Sequence, residues 1–192
     1  GAKPLLDYFL GYMELTAEEQ TFLLSKVRYR KYLKGQYILQ QGDVCKYSSY
    51  VVSGCVKMAY VDVNGHEHIV MFAIKDWWVS DLGSFIDQTP ADYNIQCIEA
   101  TEVVQFTKET EEEVMNRLPQ IERLFRKKLQ KAFLSAQKRV ILNLSLTAKD
   151  RYILFKKQYP QIEQRLPQYM IASYLGVTKE FFSKMKSEIL FD

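Results

Sequence analysis

The side chains with the most legible chemistry crowd the stretch TKEFFSKMK, residues 178–186. Lys179, Glu180, Phe181, Ser183, Lys184 and Lys186 offer cations, a carboxylate, a hydroxyl and an aromatic face within two helical turns, while Phe182 and Met185 between them are apolar. Taken from Gln168, the apolar residues Ile171, Leu175, Val177, Phe182 and Met185 have the spacing of two short helices folded against each other. Ala172 is small where the helices must approach, and Gly176 stands where a sharp turn calls for positive φ. Thr178 is placed to cap the second helix. The core therefore takes one face of that helix and leaves the six other residues outside. Such a helix, presented N-terminus first, is what a helix-turn-helix inserts into a major groove.

Charge points the same way. Residues 1–119 carry 11 basic against 17 acidic residues, whereas residues 120–192 carry 15 against 6. A folded segment this positive suits a polyanion, because each cation brought to a phosphate releases condensed counterions. Enzyme chemistry finds no foothold: no P-loop, GxSxG, HExxH or Gly-rich dinucleotide turn occurs, and no Cys–His constellation has credible spacing. Cys45, Cys55 and Cys97 are odd in number and widely spaced, which reads as buried or idle thiols in a reducing compartment. His66 and His68 would point the same way on a strand, but no third metal ligand is evident and a solvated hairpin tip is the simpler reading. The acidic run Glu109, Glu111, Glu112 and Glu113 reads as a helix start favoured by the helix dipole. No metal or cofactor is expected. No apolar run is long enough for a membrane span, so a cytoplasmic protein is expected.

The elements that must carry the basic tail change character along the chain. Residues 3–28 have helical spacing, with Thr16 as an N-cap before AEEQTFLLSKV. From Tyr29 to Phe106 short alternating runs take over, punctuated by glycines and by Asn64-Gly65, the strongest local signal for a tight hairpin. An antiparallel sandwich or barrel is predicted. After Pro119 everything is helical. Ile121, Phe125, Leu129, Ala132, Ala136, Val140 and Leu144 form one stripe on a helix of roughly 25 residues, about 38 Å long. That is more apolar surface than one small domain covers, so a second copy across a two-fold axis is inferred. Ser145-Leu146-Thr147 opens a further amphipathic helix, AKDRYILFKKQYP, closed by Pro160.

With these motifs in hand, the chain resembles the superfamily of the cyclic-AMP receptor protein and the fumarate and nitrate reductase regulator (Crp/Fnr). KGQYILQQGDV (residues 34–44), YVVSGCVKMAYVDVNGHE (50–67) and DWWVSDLGSF (76–85) resemble its sensor, and the residue 168–187 window resembles its helix-turn-helix. The resemblance implies an α+β fold: a cyclic-nucleotide-binding-like β jelly roll over residues 1–118, a dimerisation helix over 119–144, and a helix-turn-helix domain over 145–192. It implies a homodimeric transcription regulator binding double-stranded DNA, with RNA polymerase left open as a further partner. Lys179, Glu180 and Lys184 match base-contacting places. Glu180 can accept from a cytosine amino group, and the lysines can donate to guanine or, more loosely, to phosphate. Phe181 either meets a thymine methyl or folds back on Tyr174. Gln168, Thr178 and Lys186 are expected on the DNA backbone. With only Phe191 and Asp192 after the motif, little or no wing is expected.

The sensor departs from the family pattern. Where cyclic-nucleotide binders carry Gly-Glu-Leu and Arg-Ser/Thr-Ala, this chain has Ser80-Asp81-Leu82 and Ala91-Asp92-Tyr93. The arginine that would pair with the cyclic phosphate is missing, and losing one partner of a buried charge pair costs about 2–5 kcal/mol. The pocket is therefore expected not to bind cyclic AMP or cyclic GMP. No cysteine precedes Cys45, which closes the family's iron–sulfur route. Trp77, Trp78, Phe85 and Tyr93 either line an aromatic pocket or fill the core, and the small-molecule effector stays unidentified. Two alternatives remain open: an adaptor that keeps the fold without DNA binding, and a sensor of an unidentified ligand.

Overall fold

The computed structural model describes residues 1–190. Two short helices open it, α1 (Lys3–Leu10) and α2 (Ala17–Ser25). Thr16 starts α2 as its sequence predicts. Its hydroxyl accepts from the Glu19 amide while the Glu19 carboxylate accepts from the Thr16 amide, satisfying two donors that the first turn leaves free. Eight strands follow: β1 (Arg28–Tyr32), β2 (Tyr37–Leu39), β3 (Tyr47–Ser53), β4 (Val56–Val61), β5 (Glu67–Ala73), β6 (Trp78–Val79), β7 (Asn94–Cys97) and β8 (Thr101–Thr107), with helix α3 (Leu82–Asp87) between β6 and β7. They make two antiparallel sheets of four, ordered β1-β8-β3-β6 and β2-β7-β4-β5.

Alternation explains the sandwich. Leu39, Val51, Val56, Ala73, Val79, Ile95 and Val103, one from each of seven strands, are buried together between the sheets. The predicted hairpin joins β4 to β5 at Asn64-Gly65. Gly65 sits at φ +81°, and the Asp62 carboxylate accepts from the Asn64 and His66 amides to close the turn. Helices α1, α2 and α4 (Lys108–Arg117) cover the outer face of the first sheet, packing Leu5, Phe9 and Leu23 with Tyr50, Phe106 and Val114.

The long helix α5 (Pro119–Ser145) has 27 residues, about 40 Å. Its first turns correct one expectation. Ile121 is fully buried, and Leu124 and Phe125 are half-buried against the same cluster, where Phe125 meets Phe9 and Trp78 edge-on or tilted. These two stripe residues belong to the chain's own core, because α1 and the roll fill the space beside them. Ala132 and Ala136 line a groove facing the roll. What α5 leaves uncovered is Leu129, Phe133, Leu134, Val140, Ile141 and Leu144, each more than half exposed.

Helix α6 (Ala148–Gln158), a single 3-10 turn (Glu163–Arg165), α7 (Gln168–Leu175) and α8 (Lys179–Ile189) complete the described residues. Their core does not stop at the boundary expected near residue 145. Cys55, Ala59, Ile69 and Phe72 from the outer face of the second sheet share one hydrophobic cluster with Phe155, Tyr159, Ile171 and Leu175. The expectation about a wing rests on Phe191 and Asp192, which lie outside the described residues. Among the described residues no helix is long and apolar enough to cross a membrane.

Candidate functional site

The α7–α8 pair is built as the spacing predicts. Gly176 adopts φ +74° and ends α7, and the Val177 amide returns to the Ala172 carbonyl at 3.0 Å, a left-handed C-terminal stop. Two residues on, the Thr178 hydroxyl accepts from the Phe181 amide at 3.1 Å and starts α8. Ile171, Ala172, Leu175, Phe182 and Met185 are buried, and Phe182 meets Tyr152 of α6 edge-to-face at 5.2 Å. Helix α8 thus spends Phe182 and Met185 on packing. Lys179, Glu180, Phe181, Ser183 and Lys184 remain exposed on its first turns.

Four of the residues singled out from sequence are placed more narrowly than expected. Lys186 turns back toward its own domain, with its ammonium 2.9 Å from a Glu163 carboxylate oxygen and over the Phe182 ring. It is half-buried there, so it is not a free cation for the DNA backbone. Glu163 also accepts from the Tyr152 hydroxyl. Burial works against its charge, but these two partners hold its carboxyl below the usual range. Phe181 does not fold back on Tyr174: it is 53% exposed, and the ring neighbours of Tyr174 are Phe72, Phe155 and Tyr159. Gln168 and Ser183 are tied together, the serine hydroxyl donating to the Gln168 amide oxygen at 3.3 Å.

The residues expected to form the effector pocket are engaged within the chain itself. Asp81 is buried at 5% exposure; one carboxylate oxygen caps α3 by accepting from the Ser84 amide at 3.2 Å, and the other accepts from the Asp92 amide at 2.9 Å. Ala91 is buried and pinned to the neighbouring turn, its amide donating to Asp43 and its carbonyl accepting from Gly42. Ser80 and Tyr93 are half-buried and Leu82 and Asp92 exposed, and the six residues offer two carboxylates and no cation. None of them lines either of two larger cavities. One, of about 660 Å³, lies between Tyr37, Asp43, Lys46, Tyr47 and Ile95. The other is a groove of about 960 Å³ where α5, β5, β6, α6 and α7 meet, with Lys128, Lys131, Lys138, Arg139 and Arg151 against the single carboxylate of Asp76. Of the four aromatics left open, Phe85 is core, Trp78 stacks on Phe106, and Trp77 stacks on Tyr159.

The remaining candidates hold no catalytic constellation. All three cysteines are buried; desolvation pushes Cys55 up to about 12 and Cys97 up to about 11, and raises Cys45, so these thiols stay neutral. His68 lies 2.8 Å from the Asp62 carboxylate at the exposed hairpin, with His66 at 3.7 Å. Among the described residues no group of three or more His, Cys, Asp or Glu side chains could hold a metal. Sequence reasoning missed Arg139, Tyr159, Arg165 and Ser173, which join the helical half to the roll. Only the three-dimensional arrangement brings Arg139, Tyr159 and Ser173 to strand β5 and Arg165 to Gly54 and Glu99.

Residues 29–117 match the family model of the cyclic nucleotide-binding domain. No curated protein matches the chain. Among solved structures, the chain is similar to CLP of Xanthomonas campestris, described as a c-di-GMP responsive global regulator, at 16% identity and TM-score 0.74, covering 92% of this chain and 93% of that one. It is similar to FixK2 of Bradyrhizobium japonicum at 18% identity and TM-score 0.73, over 86% and 85%. A CooA variant of Carboxydothermus hydrogenoformans is similar at 17% identity and TM-score 0.71, over 94% and 81%. The likeness runs through both the roll and the C-terminal helices.

Proposed function

We propose that this chain, which carries a cyclic nucleotide-binding domain and has the fold of the Crp/Fnr regulators, is a homodimeric, sequence-specific DNA-binding transcription regulator whose sensor cleft holds neither cyclic AMP nor cyclic GMP. The observation that carries this reading is the division of labour on α8. Its buried residues are those the α6–α7 scaffold needs, and Lys179, Glu180 and Lys184 stand free at its N-terminal turns within the half that carries 15 basic against 6 acidic residues. In this reading Glu180 accepts from a cytosine amino group. Lys179 and Lys184 donate to guanine or phosphate, Phe181 and Ser183 meet groove atoms, and Gln168 and Thr178 approach the backbone. The uncovered face of α5 is the seam for the second copy, which gives two reading helices for a two-fold related site.

The test is selection of bound sequences from a random duplex pool by the purified protein, followed by the same selection with Glu180→Ala. The wild type is expected to enrich a two-fold related site. The variant is expected to lose preference at one position per half-site, worth about 1–3 kcal/mol against the wrong base there, with little loss on unrelated duplexes. Equal weakening on all sequences would remove Glu180 from the reading surface, and no enrichment by the wild type would overturn the proposal.

A further inference from the structure

Strand β5 is the edge of its sheet, and an edge strand presents backbone N–H and C=O groups with no neighbouring strand to pair them. Here those groups are taken, one after another, by side chains from the helical half. The Ser173 hydroxyl of α7 accepts from the Ile69 amide at 3.0 Å and donates to the Glu67 carbonyl at 2.9 Å. Arg139 of α5 donates to the Val70 carbonyl at 2.6 Å, and its guanidinium lies 4.4 Å from the Tyr174 ring centre. The Tyr159 hydroxyl, fully buried, donates to the Phe72 carbonyl at 3.2 Å and accepts from the Phe72 amide at 3.4 Å. Beyond the strand, Arg165 donates to the Gly54 carbonyl and pairs with Glu99. Gly54 stands at φ +94°, and an added Cβ would lie 2.5 Å from the Ala100 carbonyl oxygen, so the carbonyl that meets Arg165 belongs to a position that takes only glycine.

Building on the DNA-binding reading, we infer that the β5 edge is a docking site for the chain's own α7, and that docking fixes α8 in a DNA-competent pose without any effector. The direction follows from geometry. The roll is met by α7 and by the segment from Tyr159 to Arg165, while Lys179, Glu180 and Lys184 on α8 remain exposed in the docked state. Docking thus restrains the reader without covering it. Both Asp81 carboxylate oxygens are taken by the Ser84 and Asp92 amides, and the pose itself is held by hydrogen bonds and packing within the chain. A binding-competent pose populated in only one-tenth of molecules weakens apparent affinity tenfold, and docking removes that loss.

The experiment uses the full chain and the site enriched by the wild type. Ser173→Ala combined with Tyr159→Phe removes both hydroxyls and keeps the packing volume. The variant is expected to keep cooperative unfolding and to exchange the Ile69 and Phe72 amides with deuterium at least tenfold faster. It should bind the selected site about tenfold more weakly. Unchanged affinity with fast exchange would overturn the inference, as would tighter binding, which would make the docked state a restraint on DNA binding. If the double variant does not fold, Arg165→Gln, which alters only the rim contacts with Glu99 and Gly54, is judged by the same affinity criterion. A wild type that enriches no site defeats the DNA-binding reading instead, so the two failures are distinguishable.

Discussion

Asp81 shows how one side chain can be committed within its own fold. Both its carboxylate oxygens accept backbone amides, from Ser84 and from Asp92, so a sugar hydroxyl would have to displace a bond the loop depends on. With Ala91 in the place of an anion-pairing arginine, titration calorimetry with cyclic AMP or cyclic GMP should give no dissociation constant below ~10 µM, equivalent to less than about 7 kcal/mol of binding. Asp81→Ala should cost about 0.5–2 kcal/mol of stability in chemical denaturation, since it removes an N-cap and frees a second amide. The missing arginine was legible in the sequence because it is a matter of residue type at a position. Asp81's two bonds were not, because they depend on where the 91–93 loop returns. Lys186 misled for a related reason: its partner Glu163 is 23 residues away in the chain, and no helical period connects them.

At the scale of elements, α5 combines two surfaces on one helix. Its N-terminal turns are cemented to α1 and the roll through Ile121 and Phe125, while Leu129, Phe133, Val140 and Leu144 follow one another at steps of four, seven and four on an uncovered face. Phe133, 62% exposed, touches no core cluster. Phe133→Glu should therefore leave the thermal midpoint of a single chain nearly unchanged while shifting sedimentation from dimer to monomer, and affinity for a two-half-site duplex should fall by at least tenfold. A wild type that sediments as a monomer at micromolar concentration would overturn the dimer. The stripe was visible in sequence as a period near 3.6, and that period is real. Periodicity reports which residues share a face, not which neighbour covers it, so the residues owed to the chain's own core and those left uncovered looked alike. The α7 stop at Gly176 and the α8 start at Thr178 were legible because both are local, set by one φ angle and one side-chain cap.

For the whole molecule, the separation of charge between the halves predicts how association responds to salt. A dimer that brings Lys179, Lys184 and about two scaffold cations per copy against the duplex neutralises about eight phosphates, so log K should fall against log salt with a slope of about −7. A slope shallower than about −2, measured by fluorescence anisotropy between 50 and 300 mM salt, would leave too few phosphate contacts for this mode of binding. The order of helices and strands followed from alternation and punctuation in the sequence. The seating of the helical half on the sheet edge did not, because Ser173, Tyr159 and Arg139 are ordinary residues of amphipathic helices and turns until the fold brings them to β5. That seating has a consequence for the protein's behaviour in a crowded solution. Were α7 and the Tyr159 segment to lift away together, the Ile69 amide, the Glu67 carbonyl and both backbone groups of Phe72 would be bared, a ready template for strand addition by another copy. The contacts that seat the helical half on β5 therefore also cover the sheet edge against strand addition, and variants that loosen them should precipitate on gentle heating well before the roll itself unfolds.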